Sequence, residues 1–224
     1  MARTKEFDRD EALQKAIGVF CEKGYAAAST DELMHAMKIS RQSMYDTFGD
    51  KRHLYLEAFR RYVADSIDEQ IGYLEKSSSP IDGIEKMLLA FATRAERDGI
   101  VGCMGVNAIC EFGRSDLEVT SLGHAESTRL TAALEQALRQ AKTTKEISKT
   151  LKESAAAQFL RATLSGMKVA AKAGADTQAL KSIAHFALRS LTSHSRRRFR
   201  VFWLESSATQ KLTRYQNVIV RSKE

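Results

Sequence analysis

Ser29-Thr30-Asp31-Glu32-Leu33-Met34-His35-Ala36-Met37-Lys38-Ile39-Ser40-Arg41-Gln42-Ser43-Met44-Tyr45-Asp46-Thr47-Phe48-Gly49-Asp50-Lys51 is the stretch around which the chain is organised. Its caps and its period describe two short helices. Ser29 followed three residues later by Glu32 is a capping box, and Ser40 is an N-cap opening a second run. Leu33, Ala36 and Met37 give the first helix one apolar face, while Met44 and Phe48, four apart, give the second a narrow one. Neither helix can stand alone at this length, so each must dock on something. Leu33, Met44 and Phe48 are therefore the expected core of the pair. The opposite side of the second helix then presents Arg41, Gln42, Ser43, Tyr45 and Thr47, side chains suited to touching a partner.

A helix with that exposed set, held across a short turn by a preceding helix, has the form of a helix-turn-helix whose second member enters the major groove of DNA. Residues 6–66 resemble the DNA-binding domain of the TetR family of bacterial transcriptional regulators. Four spaced motifs carry the resemblance in order: Phe20-Cys21-Glu22-Lys23-Gly24-Tyr25 closing a first helix, Ser29-Thr30, Ile39-Ser40-Arg41-Gln42-Ser43-Met44-Tyr45, and Phe48-Gly49-Asp50-Lys51. The resemblance implies phosphate contacts from Ser29 and Thr30, where free amides and the helix dipole favour an anion; a plain N-cap explains Ser29 equally well. Arg41 and Gln42 can make bidentate contacts to guanine or adenine edges, and Tyr45 can meet a thymine methyl or a phosphate. Ser43, Thr47 and Lys51 are the expected phosphate anchors. The plain alternative is a solvated helix-end charge for Arg41 and Lys51, and packing within the small domain for Tyr45. Two residues depart from the family pattern. Asp31 stands where some members carry a base-reading cation, and is not expected close to DNA. Lys38 stands where a turn glycine is usual, and is expected to hold a mildly strained turn. Asp46 is expected to point away from the phosphates.

The rest of the 224 residues, with 12 Gly, one Pro and long Ala- and Leu-rich periodic runs, reads as helix throughout. No run approaches 18 consecutive apolar residues and the first ten are charged, so neither a membrane span nor a secretion signal is expected, and the protein is expected in the cytoplasm. Cys21, Cys103 and Cys110 have no disulfide-framework or zinc spacing. The five histidines have no metal-site spacing, and no phosphate loop or nucleophile motif is present; no enzyme, metal or cofactor is expected. The net charge of +7 does not itself argue for nucleic acid. Residues 1–62 carry 11 basic and 10 acidic groups, residues 63–193 carry 16 of each, and residues 194–224 carry 8 and 2, so the excess lies in the tail.

In chain order, a first helix over 8–23 carries Leu13, Ala16, Ile17 and Phe20 on one stripe, with Cys21 as a small core residue, and stops at Gly24. A long helix from Lys51 to about Glu75 outlasts the DNA-binding domain and must connect it mechanically to the C-terminal helices. Ser77-Ser78-Ser79-Pro80 breaks the chain before a fifth helix on Ile84, Met87, Leu88, Phe91 and Ala95. Residues 99–113 are glycine-punctuated and apolar, marks of close packing around a short helix. Within them Gly102-Cys103-Met104 and Asn107 resemble a subgroup of TetR-family regulators, some of which sense electrophiles or oxidants through a cysteine here. Cys103, Met104 and Asn107 are accordingly the candidate effector or sensor residues. A buried small residue at Cys103 is the plainer reading, since no basic residue sits beside it in sequence. Long amphipathic helices are expected at about 116–141 and 148–173, and a last one at about 177–191. The last two resemble the helices that pair across the family's two-fold axis, which makes Leu164, Met167, Leu180, Ile183, Ala187 and Leu191 the candidate dimer residues.

The expected molecule is all-α with about nine helices. It has a helix-turn-helix domain at 6–66 (the motif itself at 29–48), an effector-binding and dimerisation domain at 67–193, and an atypical basic tail at 194–224, a non-native or disordered extension or else a non-specific DNA or membrane contact. Its expected partners are a double-stranded operator, a second copy of itself and a small-molecule effector, with no membrane. The resemblance implies a homodimeric repressor that reads half-sites roughly 34 Å apart. An effector in the C-terminal cavity would favour the wrong spacing, the fourth helix passing the shift. The alternatives are a thiol switch at Cys103, and an activator or architectural DNA binder without effector.

Overall fold

The computed structural model describes residues 7–98 and 102–192, with backbone only over 94–98. The tail at 194–224, residues 99–101 of the glycine-punctuated run and the Ala95 side chain lie outside the described residues. Among those described the chain forms nine α-helices: α1 (Arg9–Ala27), α2 (Thr30–Met37), α3 (Arg41–Phe48), α4 (Lys51–Lys76), α5 (Pro80–Asp98), α6 (Met104–Phe112), α7 (Leu117–Thr143), α8 (Glu153–Lys172) and α9 (Thr177–Thr192). Most starts are set by an oxygen side chain accepting from otherwise orphaned first-turn amides: Asp8, Ser29, Ser40, Asp50 and Asp116 each do so. The Ser29–Glu32 capping box is complete in both directions. α8 starts later than its apolar period suggests, because Ser148 bonds locally to Thr150 and Leu151 and makes a turn there.

Lys38 closes α2 at φ 58°, ψ 43°, the left-handed conformation that a glycine adopts without penalty. For a residue with a Cβ it costs about 1 kcal/mol. The strain expected of this turn is therefore present.

The buried residues form two cores. The first takes Leu13, Ala16, Ile17 and Phe20 from α1, Leu33 and Met37 from α2, Met44 and Phe48 from α3, and Leu54, Tyr55, Ala58 and Phe59 from α4. It does not end at residue 66: Met104 and Ala108 of α6 and Val119 of α7 complete it. The second lies among α5, α7, α8 and α9. α4 reaches both, since its C-terminal half lends Ile67, Ile71 and Leu74 to the second.

The proposed dimer residues need correction. Leu164, Met167, Leu180, Ala187 and Leu191 are all buried inside the protomer, within the second core, and only Ile183 faces out. α8 and α9 each carry two apolar stripes, and the stripe strongest in the sequence is the one that packs inward. The outer stripe carries Phe159, Val169, Ile183 and Phe186, all exposed.

Candidate nucleic-acid interface and the cavity behind it

Burial of Met44 (0% exposed) and Phe48 (5%) orients α3 as its sequence implies, so Arg41, Gln42 and Tyr45 all face outward. The Arg9 guanidinium lies 5.0 Å from the Phe48 ring centre and 2.7 Å from Glu57, pinning α3 between α1 and α4. Ser43 and Thr47 are half-buried at the edge of the face, and the Ser43 hydroxyl is 2.9 Å from that of Ser40.

Both expected base-reading side chains are occupied by acids. Arg41 Nη2 donates to Asp31 Oδ1 at 2.6 Å, and Gln42 Nε2 donates to Asp46 Oδ1 at 2.7 Å. Asp31 therefore does not stand apart from the reading surface: the turn between α2 and α3 folds it onto the first residue of α3. The Lys51 ammonium sits 4.6 Å from the centre of the Tyr25 ring and 3.5 Å from the Ala26 carbonyl. Ser29 spends its hydroxyl within the cap, donating to Glu32 at 2.9 Å. Lys23 pairs with the same carboxylate; with the Ser29 amide and hydroxyl it holds Glu32 down to about 2. Thr30 is half-buried at the head of α2.

Behind this surface the last turn of α1 is opened at Gly24, whose φ of 80° takes it out of the helix. The groups so freed are taken by α6. Glu111 accepts from the Tyr25 amide at 2.8 Å and the Ala26 amide at 3.3 Å, while Asn107 Nδ2 donates to the carbonyls of Phe20 (3.1 Å) and Cys21 (2.8 Å). Asn107 Oδ1 in turn accepts from Lys172 of α8 at 2.6 Å. A Cβ at Gly24 would lie 1.7 Å from the Glu111 carboxylate, and one at Gly102 would lie 1.9 Å from the Cys21 carbonyl, so both glycines permit the contact. Met104, Asn107 and Glu111 make one face of α6, toward α1, and Ala108 sits at its edge, in the first core and on the cavity wall. Met104 and Asn107 are thus corrected as effector contacts, because helical periodicity turns them away from the cavity.

The other face of α6 lines that cavity. A cavity of about 320 Å³, open on one side, lies among α4, α6, α7 and α8, with Phe59, Tyr62, Val63, Ile67, Val106 and Leu130 among its lining. Cys103 opens onto it and is 5% exposed. Burial pushes its thiol up, but the Lys168 ammonium, the Tyr62 hydroxyl donating at 3.2 Å and the Val106 and Gly105 amides outweigh burial and hold it below its ordinary value. Cys21 shows the contrast: burial dominates there and pushes its thiol up to about 11.

Residues 12–58 match the family model for bacterial regulatory proteins of the tetR family, and residues 80–187 match that for the tetracyclin repressor-like C-terminal domain. The HTH-type transcriptional regulator YezE of Bacillus subtilis (strain 168) is 32% identical over 184 residues, covering 81% of this chain and 94% of that one. The chain belongs to the TetR family. The HTH-type transcriptional repressor ComR of Escherichia coli (strain K12) is 28% identical over 192 residues, with coverages of 84% and 90%. A cysteine mutant of the TetR-family regulator CifR, complexed with 26-bp double-strand operator DNA, superposes with a TM-score of 0.75 at 27% identity, over 85% of this chain and all of that one. This TetR-family chain is a sequence-specific DNA-binding regulator, a class without catalytic activity. Among its described residues, no helix is long and apolar enough to cross a membrane and no cluster of three metal-ligating side chains occurs.

Three residues of the TetR-family cavity escape a reading of the sequence. Tyr62 and Lys168 flank Cys103 from α4 and α8, 41 and 65 residues away in sequence, and Arg161 lines the far end of the same wall. One signal for them exists: Arg161, Leu164, Ser165 and Lys168 lie at i, i+3, i+4 and i+7, a single stripe of α8 with a cation at each end.

Proposed function

We propose that this regulator is a homodimeric repressor whose α3 helices read an operator with two half-sites, and that a small molecule in the cavity between α4 and α8 releases it. The observation that carries the reading is the outward flank of α3, with Arg41, Gln42 and Tyr45 exposed over a buried Met44 and Phe48. The operator complex of CifR supports the DNA partner. The Asp31 and Asp46 carboxylates compete with bases for Arg41 and Gln42 and are displaced when DNA binds. Effector binding is supported by the cavity, and its route to DNA by α6, one face of which lines the cavity while the other grips the end of α1. The effector acts only through its different affinities for the DNA-binding and released geometries. α4, which spans both cores, moves with α6.

Selection of bound duplexes from random DNA tests this. One preferred, two-fold related sequence is expected. Arg41→Ala should relax preference at one position per half-site at a cost of about 1 to 3 kcal/mol, whereas Lys51→Ala should weaken all duplexes alike and flatten the salt dependence. No preferred duplex, or an Arg41→Ala protein with unchanged preference, ends the reading.

A second reading has its own observation. The Tyr62 hydroxyl, Lys168 and two amides around Cys103 favour the thiolate, which supports a repressor released when an electrophile or oxidant modifies that sulfur. Cys103→Ser should keep operator binding and lose release by such reagents. Retained release excludes it.

A further inference from the structure

The cavity has two cationic positions and they are not alike. Lys168 stands at the Cys103 end, where its charge acts on the thiol and lowers its pKa. Arg161 lies seven residues earlier on the same face of α8, roughly 10 Å along the helix. Its guanidinium is half-buried in the wall, and its bonds go to neutral groups: Nη1 donates to the Thr131 hydroxyl at 2.9 Å and Nη2 donates to the Ser127 hydroxyl. The other charged or titratable groups in the lining are Tyr62, Cys103, His124, Glu126 and Lys168. Glu126 is turned to Arg129 at 2.5 Å, and Arg129 also reaches Asp68 at 2.7 Å. No carboxylate among the described residues pairs with Arg161.

Holding a guanidinium in a largely apolar wall with no carboxylate beside it among the described residues is costly. Its forked donors match a carboxylate or another planar acid. Val63, Ile67, Val106, Leu130 and Leu164 supply apolar wall to the same cavity, with Ser66, Gln70 and Ser165 as neutral polar groups among them. A space of 320 Å³ is about ten water volumes, which suits a molecule of about a dozen heavy atoms.

Resting on the effector-cavity reading, we infer that the effector is a small apolar acid, anchored by its acidic group at Arg161 with its body lying toward Cys103. Arg161 is then the residue that sets effector class.

Three probes with one body and different heads test this by calorimetry on the full chain: 4-phenylbutanoate, 4-phenylbutanamide and 4-phenylbutylamine. The acid should bind at least about tenfold tighter than the amide, and the amine not at all. That preference should collapse in Arg161→Gln and survive in part in Arg161→Lys, which keeps the charge. A merely structural Arg161, tying α8 to α7, would weaken acid and amide equally. Equal binding of acid and amide by the wild type, preference for the amine, binding of none of the three, or an acid preference that outlives Arg161→Gln each overturns the inference. Operator release, followed by fluorescence anisotropy, separates the two claims. Release by the amide or the amine overturns the acidic class and leaves the effector cavity standing. Tight acid binding that leaves operator affinity unchanged upholds the class and removes the effector reading.

Discussion

Arg41 meets its first partner before any DNA arrives. Its contact with Asp31 is exposed, with side-chain accessibilities of 59% and 78%, so the pair contributes little to stability and its main effect is competition with bases. Removing the carboxylate frees the guanidinium and subtracts a negative charge from a surface that must approach phosphates. Asp31→Asn should therefore tighten operator binding about two- to fivefold at low salt, with the gain shrinking as salt rises, in a titration by anisotropy. Weaker binding would mean that Asp31 positions Arg41 productively. Cys103 is the second residue whose neighbours decide its chemistry. In a Cys21→Ser, Cys110→Ser background, the alkylation of Cys103 by iodoacetamide should begin below the ordinary thiol range as pH rises, because only the thiolate attacks. Lys168→Met removes the first of the groups that oppose burial, so the pH profile should move upward and neutral-pH alkylation should slow. A profile that stays in place would assign the effect to Tyr62 and the α6 amides alone.

Among the elements, α6 joins the two functions. Nine residues long, it cannot persist by itself, and it is held by Met104 and Ala108 in the first core and by Asn107 and Glu111 on α1. These two polar residues differ in burial. Asn107 is 6% exposed, so Asn107→Ala strands the Phe20 and Cys21 carbonyls and should cost about 2 to 3 kcal/mol in urea unfolding. Glu111 is exposed, and water replaces its bonds to Tyr25 and Ala26, so Glu111→Ala should cost no more than about 1 kcal/mol. The reverse order would show that the cap, and not the buried amide, fastens α6. This joint also marks where sequence stops being informative. Helices α1 to α4 are legible because caps, stripes and the Gly24 stop are local signals, read within a few residues. Met104 and Asn107 stand out in the sequence, but which face of α6 meets α1 depends on residues about 86 positions away. Lys168 and Arg161 do not stand out for the same reason, since proximity to Cys103 exists only once α8 is packed. On α8 and α9 two apolar stripes compete, and periodicity alone does not say which one turns inward.

At the scale of the whole molecule, the two stripes of α8 and α9 set the last prediction. The inner stripe is already satisfied inside one chain. The outer stripe runs through Phe159, Ala162, Gly166 and Val169 on α8 and Ala173 at its C-cap, and through Ala179, Ile183, Phe186 and Ser190 on α9. All nine are exposed, with Phe186 at 66%. The small residues between the large ones allow a second pair of helices to approach closely, and a two-fold interface is completed by the same patch on the partner. Two linked α3 helices bind DNA far more tightly than one, because the second half-site is reached at high local concentration. Phe186→Glu places two charges in such an interface, and across a two-fold axis it does so symmetrically. The variant should sediment as a monomer with its helical content retained, and should lose operator affinity by at least about a hundredfold. Met167→Ala acts on the other stripe. It opens a cavity in the protomer's own core and should cost about 2 to 5 kcal/mol of stability without selectively dissociating the dimer. If Phe186→Glu remains a dimer while Met167→Ala dissociates, the two faces have been assigned the wrong way round. The recognition helices would then be spaced by some other surface of the chain.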